Sequence, residues 1–341
     1  MRNQFFLLLV CVGMSPFILF AQRSRLPLLS LQPADSLHRP RFWTALGTGT
    51  AGYGFAMTGL YQSWYADYPS SHFHFFQDGK EWMQMDKMGH WLMSYQESRW
   101  IYGGARWTGL RPRSAAWTGF AGGQLIQTSF EIFDGYSAQW GFSWSDVAFN
   151  LLGSGMFLSQ ELGWGEQRIT MKMSAWPVRY SDERIYAASP AGSTASTTLD
   201  QRTDELYGTG PFNLFLKNYN TLTVWASVNP RSFSRREDGW WPDWLNIAAG
   251  MGADNLFAGF GYEWQEDKDC QGGDCITYRV DQERYPRTRQ FFLSLDVDLT
   301  RIHTRSRLLN TLLYAANIIK IPAPALELNS RGDLRFHPLY F

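Results

Sequence analysis

Residues 82–102 read WMQMDKMGHWLMSYQESRWIY. Asp86, His90 and Glu97 recur there at spacings of four and seven, with Lys87 beside the first of them. That repeat places side chains along one face of a helix. Two later stretches carry the same kind of stripe. In a helix expected over Ser114–Phe133, Gln127, Glu131 and Asp134 lie four and three apart. In another over Ser143–Leu162, Asp146 and Asn150 sit one turn apart. Ser143 is a suitable N-cap, and Asp146 complements the dipole of the first turn. Pro112 and Gly135 punctuate the gaps. Upstream, Phe42–Ala66 holds no charge and is rich in Gly, Ala and Thr. Its length suits a membrane span and its small residues suit close packing. A buried core helix is the alternative, and the glycines weaken either. Four helical stretches with short connections predict a four-helix bundle-like unit over residues 42–165.

After Gly165 the period changes to two. Ile169, Met171, Met173 and Ala175 alternate with Thr170, Lys172 and Ser174. Leu222–Val228 does the same, and so does Phe291–Leu299. Such alternation predicts strands. Leu245–Met251 and Leu256–Trp264 read as a glycine-broken pair around Ala253-Asp254-Asn255. A Ser/Thr/Ala/Gly-rich segment, part of an insert near 187–204, reads as a loop or mobile insert. One helix is expected over His303–Lys320. The fold class is therefore α+β: a helical unit, then an antiparallel β-rich domain of six to eight strands over 166–341 with one C-terminal helix.

The 341 residues carry 31 Lys+Arg against 31 Asp+Glu, so the positive surplus of a nucleic-acid binder is missing. Only 18% are charged, against roughly 25% in a typical soluble domain, while 16% are aromatic, including 16 Trp. Trp and Tyr concentrate where one end of a side chain is apolar and the other wet. The mean hydropathy of −0.30 is too polar for a chain built mainly of spanning helices. An envelope protein remains. Residues 1–21 read as a signal peptide: Arg2 supplies the positive end, an apolar run follows, and Ala21 precedes the cleavage point. Residues 22–41 read as a linker. Val10 stands before Cys11 where a lipobox needs a small residue, which argues against lipidation. Cys270 and Cys275, flanking Gly272-Gly273, are placed to close a disulfide in an oxidising compartment. The terminal FHPLYF has the alternation and final Phe of outer-membrane β-proteins, although Pro338 interrupts it. Arg235-Arg236 beside Trp240-Trp241 suits a loop resting on a membrane surface or a partner.

Buried carboxylates must pair, bind a cation or face water, because an uncompensated one costs several kcal/mol. Three uses of Asp86, Lys87, His90, Glu131, Asp134, Asp146 and Asn150 follow. They form a buried network that fixes helix register, or a pocket for a headgroup, sugar or ion, or an acid–base or metal-assisted hydrolase. In the last, His90, Glu131 and Asp134 would hold a divalent metal and Asp146 would orient water. The paired Glu-x-x-His of di-iron bundles is missing, and no cofactor is otherwise indicated. No Gly-rich phosphate loop, Gly-x-Ser-x-Gly or His-Glu-x-x-His occurs.

The order Asp86-Lys87-x-x-His90, Glu131-x-x-Asp134-Gly135-Tyr136, then Gly141-x-Ser143-x-x-Asp146 with Asn150 and Gly153, resembles the YfiM-like family of predicted bacterial periplasmic lipoproteins. It is similar, more distantly, to VanZ-like membrane proteins. Leu216–Asn220, Trp244–Asn246 and Pro322–Leu326 resemble the long, Bacteroidetes-type form. The resemblance implies an exported protein in the periplasm, associated with the outer membrane, and supplies no reaction. The expected function is a non-catalytic binding or scaffold protein with lipid or glycan partners. The alternative is a hydrolase of lipid-linked or cell-wall material acting through His90 and its carboxylates.

Overall fold

The computed structural model describes residues 30–66, 69–208, 215, 217–234, 240–271 and 274–341, and of 63–64, 266–271 and 274 the backbone alone. The expected signal peptide lies outside these residues. The fold is a mixture of helices and antiparallel sheet. Helix α1 (Arg39–Leu60) runs into a π-helical turn, Tyr61–Tyr65; α2 (Met85–Trp107), α3 (Pro112–Gly135) and α4 (Trp144–Gly163) follow. Pro112 occupies the first turn of α3, where its missing N–H costs nothing, and Ser143 caps α4 by accepting from the Asp146 N–H at 3.1 Å.

The helices α2, α3 and α4 pack against one another, and glycines set how closely. A side chain at Gly123 would meet the Ser98 hydroxyl, and one at Gly153 the backbone oxygen of Trp91. α1 is different. Only Arg41 and Met57 are buried along it, because its Gly/Ala/Thr composition offers no continuous apolar stripe. It touches the trio through a few contacts such as Tyr53 Oη to Ser129 Oγ at 2.7 Å. The alternative of a buried core helix for this stretch is not met. No helix among the described residues is long and apolar enough to cross a membrane. Within the expected linker, Gln32 accepts from the buried Arg41 guanidinium (2.6 Å) and Ser30 from the Trp107 indole (2.7 Å), so residues 30–38 lie against the end of α2.

A six-stranded sheet contains β1 (Ile169–Ala175), β4 (Leu222–Val228), β5 (Leu245–Asp254), β8 (Thr288–Val297), β9 (Ala323–Asn329) and β10 (Leu334–Tyr340), adjacent in that order. A second sheet contains β3 (Ser196–Thr198), β2 (Arg184–Ser189), β7 (Asp274–Arg279) and β6 (Glu263–Gln271). The segment expected as a loop or mobile insert thus contributes two strands and a helix, α5 (Leu199–Tyr207), started by a capping box of Thr198 and Gln201. Its small polar residues suit an edge strand and a cap as well as a loop. Leu256–Tyr262 does not extend β5 or form its hairpin partner; it bends away after Asn255, whose φ is 61°, and β5 pairs with β8 instead. The C-terminal helix α6 spans Arg307–Ala316, shorter than expected. In β10 the register slips between His337 and Tyr340, where Pro338 cannot donate to the ladder. Cys275 is disulfide-bonded; the side chain of Cys270 lies outside the description.

One apolar core joins the two halves. Met85, Leu92 and Tyr95 of α2 and Phe157 of α4 meet Met171 and Met173 of β1 and Val224 of β4. A smaller core lies beneath α5, around Phe257, Trp264 and Tyr278. The alternation in β8 is as the sequence indicates, yet Ser294 and Asp296 are the buried set, and Phe291, Leu293 and Leu295 the exposed one.

Candidate functional site

The polar stripes of α2, α3 and α4 meet in one buried cluster. Lys87 is its centre. Its side chain is 1% exposed, and Nζ lies 2.7 Å from Asp78 Oδ2, 2.9 Å from Asp86 Oδ2 and closer still to Asp146 Oδ1. Three carboxylates thus surround an ammonium that has three protons to donate. Asp78 is fixed from its other side by the hydroxyls of Ser143 (2.6 Å) and Ser145 (2.7 Å). Asp86 accepts from Tyr219 Oη at 2.8 Å, which ties the cluster to the β half.

His90 sits one turn beyond Asp86. Its Nδ1 is 3.1 Å from Asn150 Oδ1 and 3.6 Å from Glu131 Oε1, and its Nε2 is 3.6 Å from Asp146 and 3.8 Å from Asp86. Glu131 is fully buried; the backbone N–H of Ser143 and the amide of Asn150 reach it at 3.4 and 3.5 Å. Asp134, by contrast, accepts from Tyr65 Oη at 2.7 Å, at the end of α1. Glu97 lies apart as well, its two oxygens each 2.9 Å from the Gln127 amide.

The chain enters the cluster through strained backbone. Trp82, Met83 and Gln84, none of them glycine, have φ of 48°, 51° and 65° just before α2. Such conformations persist only where surroundings enforce them. Here the Trp82 N–H donates to Gly259 O (2.8 Å), and the Arg289 guanidinium donates to Met83 O (3.0 Å).

Two cations face several carboxylates within the cluster. Burial would lower the pKa of Lys87, but Asp86 and Asp146 hold it above the usual ammonium range. Burial would likewise depress His90; Asp146, Asp86 and Glu131 lift it to about 9. Against these cations stand two firm carboxylates. Asp78 is held at about 2 despite burial by hydrogen bonds from Asp146, Lys87 and Ser143. Asp86 is lowered, against burial, by His90 and Lys87. Burial raises the other two: Asp146 to about 7, with Asp86 and Asp78 adding to the effect, and Glu131 to about 8. They are the groups that take protons first. Glu81, at the cluster's edge, is raised to about 7 by burial and by the charges of Asp86 and Asp78.

Six of the seven residues picked from the sequence therefore converge, and Asp134 bonds elsewhere. The expected metal set of His90, Glu131 and Asp134 does not come together. The ligand-capable atoms that do lie within 4.8 Å of one another belong to Asp86, His90 and Asp146, and Lys87 already contacts both carboxylates. Asp78, Tyr65 and Tyr219 were not foreseen: Asp78 lies outside the helical repeats, and the two tyrosines come from segments far off in sequence. A polar cleft lined by Arg99, Tyr102, Glu161, Arg301 and Tyr314 lies elsewhere and contains none of the cluster residues.

Residues 74–159 match the model of a family described as "Predicted periplasmic lipoprotein (DUF2279)", a family of unknown function. The match spans every helical member of the cluster and Asp78. That description supports an exported, periplasmic protein. It also includes lipidation, against which Val10 argues, and Cys11 lies outside the described residues. No curated protein and no solved structure matches the chain.

Proposed function

We propose that the protein is a non-catalytic scaffold of the bacterial cell envelope, held in the periplasm at the outer membrane and binding lipid or glycan components. The YfiM-like and, more distantly, VanZ-like resemblance belongs to this reading. The observation that carries it is the Lys87 ammonium among Asp78, Asp86 and Asp146. The ammonium sits within ion-pair distance of all three carboxylates, so the chain itself supplies a cation at the centre of the cluster. It also links the segment before α2, α2 itself and α4, so its first effect is on register and stability. Fractionation of cells producing the full chain tests the location: recovery with the outer membrane is expected, and recovery in the cytosol overturns the proposal. Replacement Lys87→Met tests the structural part of the proposal: the melting point should fall sharply, and an unchanged one overturns the central place given to Lys87.

The convergence of Asp86, His90 and Asp146 favours a second reading, a hydrolase of lipid-linked or cell-wall substrates. Those three would hold a divalent ion, whose chemistry would be to activate water. Stoichiometric metal after purification without chelator, lost in His90→Ala, supports this reading; metal-free wild-type protein counts against it.

A further inference from the structure

From the polarity of the six-stranded sheet we infer that the outward face of β5, β8, β9 and β10 is seated in the hydrocarbon of a lipid bilayer. The inference rests on the membrane association proposed above and names the surface responsible. It is independent of whether the helical cluster is catalytic.

The enclosed face of the sheet combines buried polar and charged groups with the Trp225, Ala248 and Phe292 cluster, whereas the outward face is apolar. On the enclosed face Lys172 and Asp296 pair at 2.7 Å, both fully buried, and Ser227 donates to the same carboxylate at 2.7 Å. Asn246 donates to Ser227, and Glu327 accepts from Gln290 and lies 2.7 Å from His337 Nε2. The opposite face begins under the helices, at Met171 and Val224, and continues uncovered across the remaining strands. Ile247, Leu293, Leu295, Leu326, Leu328 and Phe336 are each 40–64% exposed. The register aligns them: Leu293 stands opposite both Ala249 and Leu326, and Leu326 opposite Phe336. All but Leu328 line a shallow apolar groove completed by Trp241 and Pro324.

Alternation with the apolar set outward is the pattern of a lipid-facing β surface. Soluble monomers rarely leave contiguous apolar patches larger than a few hundred Å² in water.

Charge decides between lipid and a second protein. From Phe291 to Val297 no outward position of β8 is charged, and none is charged in β5 from Leu245 to Ala253. The strand charges lie inward or at the rims. At one rim are Arg331 and Arg335, both exposed; at the other are Trp240, 87% exposed, and Trp244. Asp333 stands between the two arginines. An uncharged band between a charged rim and a tryptophan rim complements hydrocarbon bounded by polar headgroups.

The test uses the full chain with single nitroxides at Leu293→Cys, Leu326→Cys and Arg331→Cys, and vesicles of phosphatidylethanolamine and phosphatidylglycerol. Positions 293 and 326 should become more accessible to oxygen and less accessible to a water-soluble nickel complex when vesicles are added, with 331 staying near the water. Leu293→Lys, at a position exposed in the folded chain, should weaken vesicle partition by roughly tenfold or more with an unchanged circular dichroism spectrum. Vesicle binding with 293 and 326 still in water overturns the assignment of this face while leaving membrane association standing. No vesicle binding, with the two positions protected in a dimer seen by sedimentation, overturns it in favour of a second copy. A monomer that ignores vesicles overturns both the face and the membrane association.

Discussion

Lys87 is the residue on which the helical half depends. Lys87→Met removes the only positive group that touches Asp78, Asp86 and Asp146 together among the described residues. Stranding buried carboxylates in this way costs about 3–5 kcal/mol, so the urea midpoint should fall sharply. Glu131→Gln should behave differently. Burial raises Glu131 to about 8, so it is largely protonated at neutral pH and Gln resembles the form already present. A carboxyl whose folded pKa lies above its unfolded value stabilises the fold below the unfolded pKa, and that stability is lost as pH rises through the folded one. His90, lifted to about 9, contributes with the same sign, its share lost between its unfolded pKa of roughly 6.5 and 9. Denaturation midpoints measured from pH 6 to 9, on the order of one unit apart, should therefore decline for wild type. The decline should be shallower in Glu131→Gln. An equal slope in both proteins would remove Glu131 from the explanation.

Among the elements, α4 is the one most tightly set by its sequence. Ser143 ends the preceding loop, caps the helix and donates to Asp78. Ser143→Ala should cost about 1–2 kcal/mol, at the upper end because the Asp78 bond is lost as well. One turn past the cluster, Gly153 lets α4 approach the Trp91 carbonyl and the Ser94 hydroxyl of α2. Gly153→Ala should improve intrinsic helix propensity yet destabilise the protein by about 1–3 kcal/mol, because backbone atoms cannot rotate out of the way. A melting point equal to or above wild type would show that α2 and α4 are less closely packed than described. The boundaries of α3 and α4 were legible to within two residues because caps and prolines are local signals, whereas α2, which starts after the left-handed Gln84 with no side-chain cap, begins three residues later and ends five later than expected. α1 was legible as a helix, but not in its placement: with glycines at 47, 49, 52, 54 and 59 it has no stripe to say which side should be covered.

At the scale of the whole molecule the polarity of the sheet has a measurable consequence. Asp296→Leu adds an apolar side chain to the interior but leaves Lys172 buried and unpaired, and should cost about 3–5 kcal/mol. Leu293→Ser removes an apolar side chain from the exterior and should change stability in solution by no more than about 0.5 kcal/mol. Paired urea titrations check both; the opposite ranking would mean that the sheet faces are assigned the wrong way round. The sequence by itself determined the α+β class, the change of period after Gly165, the caps and six of the cluster's members. All of these depend on spacings of two, three or four residues along one chain. Only the tertiary structure decided that Asp78 and Tyr219 complete the cluster and Asp134 leaves it. It also decided that the expected mobile insert is folded and that the polar face of the sheet is the enclosed one. Periodicity states that a strand has two unlike faces. Which of them is shielded depends on partners such as Lys172 and Asp296, brought together from distant parts of the chain, and on what lies beyond the exposed one.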